Sequence, residues 1–253
     1  MDKLDISPPV VTGSRYATAR GRLAGAQKST ASVPAYLRFV NRRAGGWFAA
    51  LAYAVDLTPT QVTVLSAASS FAGIALLLVL APTVPVGILV AALLLLGYAL
   101  DSADGQLARV RGGGSKAGEW LDHVVDMAKM TSLHSAVAVC VLRNFDVSRL
   151  VLAVPLVFGV ANATQFLGMM LRDKLRGSTD RPAAGESSSV LRAWLLLPLD
   201  HGALGLAFLL LGWHAAFLIG YGLLALCTVT FAARSLVKAY RGLVALDRLG
   251  STG

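Results

Sequence analysis

Apolar residues in this chain gather in runs instead of alternating with polar ones. A helix needs about 20 apolar residues to cross a bilayer, and six runs approach or exceed that length: 58–80, 84–110, 117–142, 149–171, 191–211 and 214–240. The first stops ahead of Pro82, and the fifth is interrupted by Pro198, Asp200 and His201. Backbone polar groups in lipid must be satisfied within the segment, so the runs predict helices. Before them, PAYLRFVNRRAGGWFAALAYAVD mixes Arg38, Arg42 and Arg43 with Phe39, Trp47, Phe48 and Tyr53. That mixture suits a helix lying in the membrane interface. The expected fold is an all-α integral membrane protein: a basic cytoplasmic segment with an interfacial helix over 1–57, six transmembrane helices over 58–240, and a cytoplasmic tail over 241–253.

Composition supports this reading. The chain is 55% hydrophobic and 15% charged, with a mean hydropathy of +0.63, whereas soluble domains carry about 25% charged residues. The opening MDKLDISPPVVTGSRYATARGRLAGAQKS has no apolar core of the kind a signal peptide needs, so none is expected. Cys140 and Cys227 sit in separate apolar runs and read as packing thiols, not as a disulfide or metal pair.

The net charge of +9 is placed, not scattered. Of 23 Lys and Arg residues, all but Lys129, Arg143 and Arg149 lie before the first run, at or between the facing ends of the second and third and of the fourth and fifth, or in the last turns of the sixth and beyond it. With six spans these positions share one side, which the positive-inside rule makes the cytoplasm. The charge therefore implies anionic headgroups as partners, not nucleic acid, and the expected location is the cell membrane with both termini cytoplasmic. GSTDRPAAGESSS reads as a loop on that side, and no internal repeat is visible.

Against this background, DSADGQLARVRGGGSKAGEWLDHVVD carries four aspartates at the cytoplasmic end of the second and third runs. Asp101 and Asp104 are spaced i, i+3, and Asp122 and Asp126 i, i+4, so each pair shares a helix face. A short connection makes the two helices antiparallel neighbours on which the four can converge. Bare carboxylates would repel, and some would take up protons. Hard oxygen ligands on helices suit Mg²⁺ or Mn²⁺, with room for two ions. RVRGGGSK adds Arg, Lys and free backbone N–H groups as a cradle for phosphate oxygens. The combination points to chemistry on a phosphate ester beside the membrane surface. Acids within spans also mark ion pathways, so a transporter is the rival from another class. It predicts acids near the bilayer middle and internal repeats, which this sequence lacks.

The stretch fills the pattern D-x2-D-G-x2-A-R-x8-G-x3-D-x3-D with Asp101, Asp104, Gly105, Ala108, Arg109, Gly118, Asp122 and Asp126. In this it resembles the CDP-alcohol phosphotransferase family, as does the six-span layout. TPTQVT, from Thr58 to Thr63, is similar to a further family element that contacts the nucleotide. The resemblance implies transfer of a substituted phosphate from a CDP-linked donor to an alcohol, with release of CMP. It implies that Asp101, Asp104, Asp122 and Asp126 hold the divalent metal and that Asp126 also deprotonates the attacking hydroxyl. It assigns the CDP part to Gly105, Arg109 and Ser115, with Thr58 and Gln61, and Ala108 and Gly118 complete the substrate-binding set. A homodimer is a further expectation from the family. An inactive scaffold would not need the intact aspartates.

Two departures fall around the acceptor. Met127 stands where many relatives have Arg, and Asp200–His201 stands where some carry an acidic–Arg pair. RGGGSKAG resembles bacterial phosphatidylinositol phosphate synthases, which implies CDP-diacylglycerol as donor. GEWLDHVVD resembles choline and ethanolamine phosphotransferases, which implies a soluble CDP-alcohol and diacylglycerol. The first is the expected arrangement. Lys129, Asp200 and His201 are the acceptor-site candidates, Lys129 also being a counter-ion candidate for the acids. Arg172, Lys174 and Arg192 are expected to snorkel or to bind an anionic acceptor. His123 and Glu119 flank the metal pair, while Asn162, Thr164 and Gln165 read as interhelical polar contacts.

Overall fold

Thr58-Pro59-Thr60-Gln61 starts the first long apolar helix with a reciprocal cap. The Thr58 hydroxyl accepts from Gln61 N at 3.2 Å, and Gln61 Oε1 accepts from Thr58 N at 2.8 Å. Pro59 occupies the first helical turn, where its missing N–H is no loss. The computed structural model describes residues 12–25, 33–176 and 189–250, and no strand occurs among them. Most of the loop expected at GSTDRPAAGESSS lies outside the described residues, as do Lys3, Lys28 and Arg181.

The described elements are α1 (Thr12–Gly25), a π-helical turn (Leu37–Asn41), α2 (Arg42–Ala54), α3 (Pro59–Val79), α4 (Val84–Val110), α5 (Lys116–Asn144), α6 (Ala153–Arg176), α7 (Val190–Leu195), α8 (His201–Ala207) and α9 (His214–Gly250). Five of the described helical segments are long and apolar enough to cross a membrane: Pro59–Val79, Val84–Val110, Lys116–Asn144, Arg149–Arg176 and His214–Arg248. Their outer faces carry bare aliphatic side chains, Val79 at 69% and Ile219 at 65% exposure, as lipid contact requires.

Three expectations change. The fifth run is not one helix. Leu197–Leu199 is a short 3₁₀ turn around Pro198, and only His201–Leu210 continues as a short apolar helical stretch. The last helix runs through Tyr240 to Gly250, so much of the expected tail is helical. And α4 and α5 do not pack closely as neighbours. Instead α3 packs against both, which leaves a gap between α4 and α5 for side chains.

Small residues bring α3 onto α4. A Cβ on Gly97 would collide with Ser70 Oγ, and Ser66 Oγ donates to Gly97 O at 2.8 Å while Ser69 Oγ donates to Leu93 O at 2.8 Å. In lipid such close approach and interhelical hydrogen bonds replace the hydrophobic drive. The main core gathers Ile74, Leu77, Val90, Val137, Phe158, Phe208, Phe217 and Tyr221 from α3 to α9. A second core sets Ala19 and Leu23 of α1 against Ala49 and Ala50 of α2 and Ala103 and Leu107 of α4. Helix α1 had no hydropathy signature. It is held by that apolar stripe and by Arg15, which with Arg111 bonds Asp56 Oδ1 at 3.2 and 2.9 Å.

Candidate active site

The four aspartates divide between two cavities. Asp104 and Asp122 line one of about 510 Å³ together with Thr58, Thr63, Gly105, Ala108, Arg109, Ser115, Gly118, Glu119 and His123. Asp101 and Asp126 line the other, of about 330 Å³, with Lys129 and groups from α3, α4, α6 and α8. All the residues proposed from sequence for the CDP part thus meet in the first cavity except Gln61, which spends its side chain on the cap.

Local folding explains this convergence. α4 ends at Arg111 with Gly112 in a left-handed conformation (φ +92°), and Gly113 N donates to Ala108 O at 2.9 Å. This is the glycine-dependent helix end that satisfies trailing carbonyls. The chain then turns at Gly113 (φ +131°) and restarts at Ser115, whose Oγ accepts from Gly118 N at 3.0 Å as the cap of α5. The RVRGGGSK loop is therefore a helix stop and a helix start, and between them they fold it over the cavity.

The acids are held differently. Asp104 is buried and takes a 2.6 Å hydrogen bond from Thr63 Oγ1. Asp122, His123 and Asp126 each offer a ligand atom, and these atoms lie within 4.8 Å of one another. His123 Nδ1 is buried without a hydrogen-bond partner, and its ring stands edge-on to Phe166. Lys129 Nζ sits between Asp101 Oδ1 at 2.6 Å and Asp126 Oδ1 at 2.8 Å, so it is a counter-ion to the acids. Four carboxylates on two facing helices, with one ammonium offsetting only part of their charge, fit a hard divalent cation. Asp101, Asp104, Asp122 and Asp126 are the residues that would hold it, and it would neutralise phosphate oxygens there.

The second cavity contains residues the sequence did not single out. Tyr98, His134, Met130 and Phe166 line it. His134 is locked by Tyr221 Oη at 2.5 Å on Nδ1 and by Asn162 Nδ2 at 2.8 Å on Nε2. No local pattern announces them, because their partners are on distant helices. Asn162 and Gln165 make the expected interhelical contacts, Asn162 with His134 at the cavity and Gln165 accepting from Ser235 Oγ on α9, whereas Thr164 is exposed and bonds Val160 O of its own helix. Asp200 and His201 separate. His201 lines the cavity, while Asp200 is buried as the cap of α8, accepting from Gly202 N at 2.9 Å and Leu37 N at 2.7 Å. Arg172 pairs with Asp173, and none of Arg172, Lys174 and Arg192 lines either cavity.

The sequence pattern of the CDP-alcohol phosphatidyltransferase family matches residues 56–233. The chain belongs to that family. Among its relatives, a phosphatidylinositol phosphate synthase of Corynebacterium glutamicum is 36% identical over 110 residues, 43% of this chain and 48% of that protein. The chain thus spans about half the length of that curated relative. A Mycobacterium tuberculosis phosphatidylinositol phosphate synthase with CDP-DAG bound superposes with a TM-score of 0.54 at 22% identity, covering 79% of this chain and 94% of that one. The same kind of enzyme in complex with manganese and citrate gives a TM-score of 0.51 at 24% identity over 76% and 87%. These likenesses establish a shared fold.

Proposed function

We propose that this protein moves a phosphatidyl or other substituted phosphate group from a CDP-linked donor, CDP-diacylglycerol, to an alcohol hydroxyl and releases CMP, in phospholipid synthesis. The observation that carries this is the division of one acid cluster between two cavities. One has the Gly-Arg-Ser lining suited to a nucleotide diphosphate; the other lies across Asp101 and Asp126. Mg²⁺ or Mn²⁺ held by the four acids supplies neutralisation of the diphosphate and of the leaving CMP.

The chain's own groups do the rest. Arg109 and the backbone around Gly105 and Ser115 orient the diphosphate. Thr63 fixes Asp104 so that its remaining lone pairs face the first cavity. Asp126 is the general base: it borders the second cavity, where an alcohol would lie, and takes the hydroxyl proton as the oxygen attacks phosphorus. Lys129, 2.8 Å from Asp126 Oδ1, keeps that carboxylate aimed. A positioned alcohol and diphosphate meeting at one line of acids also gain from proximity. The relative with CDP-DAG bound supports the lipid-linked donor. The apolar walls of the second cavity favour a second reading, in which a soluble CDP-alcohol donates to diacylglycerol. We place the active site and both termini in the cytoplasm of the cell membrane, with two chains forming a homodimer.

The test is CMP release by purified protein given Mn²⁺, CDP-diacylglycerol and a panel of alcohols. Loss of CMP release in Asp126→Asn with donor binding retained supports the assignment. An unchanged rate in that variant refutes the general base.

A further inference from the structure

Resting on the proposed transferase reading, the second cavity narrows the acceptor. We infer that this chain's acceptor is an uncharged alcohol, and that a phosphorylated alcohol is excluded from the cavity beside Asp126.

Charge is the reason. Among the described residues lining the cavity, Lys129 is the one cation, and Asp101 and Asp126 already hold it from two sides at 2.6 and 2.8 Å. The other polar groups carry no fixed charge: the Ser70 hydroxyl, the Tyr98 phenol, the Asn162 amide, and the imidazoles of His134 and His201. The remaining wall is Ile74, Leu94, Met130, Leu133, Phe166 and Leu204. A phosphate monoester brings about −1.5 to −2 charges at pH 7. It would enter a cavity that has two carboxylates and one ammonium. Were a divalent cation to take over both carboxylates and free Lys129, one ammonium would still face a dianion, and burying unpaired charge is strongly unfavourable. The cations that sequence offered for an anionic acceptor, Arg172, Lys174 and Arg192, line neither cavity.

The neutral groups suit hydroxyls instead. Tyr98 and His201 lie ring to ring with centroids 5.7 Å apart on one wall, and Asn162 is held by His134 on another. The Tyr98 phenol is hydrogen-bonded to Asp200, which leaves its oxygen as an acceptor, and the Asn162 amide oxygen and the His201 ring add further polar groups that a hydroxylated acceptor satisfies with no net charge; the aliphatic and aromatic wall takes its carbon skeleton. The cavity of about 330 Å³ holds a small polyol or the head of a lipid alcohol.

The experiment pairs two uncharged polyols with their phosphate esters and adds one lipid alcohol. Glycerol and myo-inositol, and glycerol 3-phosphate and inositol 1-phosphate, are offered to the full chain in detergent with Mn²⁺ and CDP-diacylglycerol; dioleoylglycerol is offered with CDP-choline. CMP release is measured. The expected result is a kcat/KM for an uncharged acceptor at least tenfold above that of any phosphate ester. Preference for a phosphate ester overturns the inference and leaves the transferase reading intact. No CMP with any pair overturns the transferase reading, and the inference is then decided without donor, by equilibrium dialysis of radiolabelled inorganic phosphate. Wild type is expected to retain no more phosphate than Lys129→Met. Phosphate retained by wild type and lost in that variant overturns it.

Discussion

Replacing Lys129 with methionine keeps the bulk of the side chain and removes its charge. In the native chain the ammonium serves two carboxylates at once, and the three side chains are only 14 to 23% exposed. Removing one partner of such a buried pair strands the other charge and costs about 3–5 kcal/mol. A single contact of unit charges at 4 Å is worth about 4 kcal/mol at an effective dielectric of 20, so the scale agrees. For a chain of this size that lowers the unfolding midpoint on the order of 10 °C. The sign of the metal effect should then invert the usual order. In wild type a divalent cation must compete with Lys129 for Asp101 and Asp126, whereas in the variant it meets carboxylates that lack a counter-charge. Thermal unfolding of detergent-solubilised protein, in EDTA and in Mn²⁺, reads both quantities. The expected pattern is a large loss for Lys129→Met in EDTA and a larger Mn²⁺ gain for the variant than for wild type. Equal midpoints in EDTA, or equal Mn²⁺ gains, would refute the counter-ion role.

Other outcomes follow from the same geometry. Asp126→Asn should lower turnover by about 10²–10⁴-fold, the range for a lost general base, with CDP-diacylglycerol binding by dialysis within a few-fold of wild type. Gly97→Ala forces a Cβ into Ser70 Oγ and should lower stability by about 1–3 kcal/mol in chemical denaturation; pairing it with Ser70→Gly should recover most of that loss. Asp200→Ala leaves Leu37 N and Gly202 N without their acceptor; hydrogen bonds to charged groups are each worth about 1.5–3 kcal/mol, and hydrogen exchange should show loosening of both the Leu37–Asn41 turn and α8. The Asp56 carboxyl is held below its usual range, first by the hydrogen bond from Arg111 and then by the Arg15 charge. Its contribution is complete above the ordinary carboxylate pKa of about 3.9 and is lost as pH falls through the lower folded value. Exchange of α1, corrected for intrinsic rate, should therefore rise in strong acid for wild type and be independent of that titration in Asp56→Asn.

Much of this fold was legible because lipid leaves few options. The runs at 58–80 and 84–110 became α3 and α4 with ends within two residues of expectation, since continuous apolar sequence in a membrane must be helical. The acids were legible as a cluster from i, i+3 and i, i+4 spacing alone. Their partition between two cavities was not, because it depends on α3 packing against both α4 and α5, a long-range fact no spacing carries. Thr58 and Gln61 carry a signal legible in the sequence itself. The T-x-x-Q spacing is a capping box, and that is the bond the pair makes. Tyr98, His134 and Tyr221 are different: a lone aromatic or histidine within an apolar run gives no hint of its partner on a helix 87 residues away.

The break in the fifth run has a physical cause, and breaks in lipid are costly. A helix end exposes backbone N–H groups that lipid cannot satisfy, so irregular backbone at membrane depth persists only where protein buries it or it lines a cavity. Here both conditions hold. Pro198 removes a donor that would otherwise be stranded, and Asp200 supplies one carboxylate oxygen to Gly202 N and the other to Leu37 N. The second bond ties the Leu37–Asn41 turn to the start of α8, 163 residues away in sequence. With its first turn anchored there, α8 presents His201, Leu204 and Gly205 to the cavity beside Asp126. A continuous helix through 191–211 would have no need of Asp200 and no fixed point at that depth. The acid that sequence placed among the acceptor contacts thus shapes the second cavity from behind, by holding the wall that His201 belongs to.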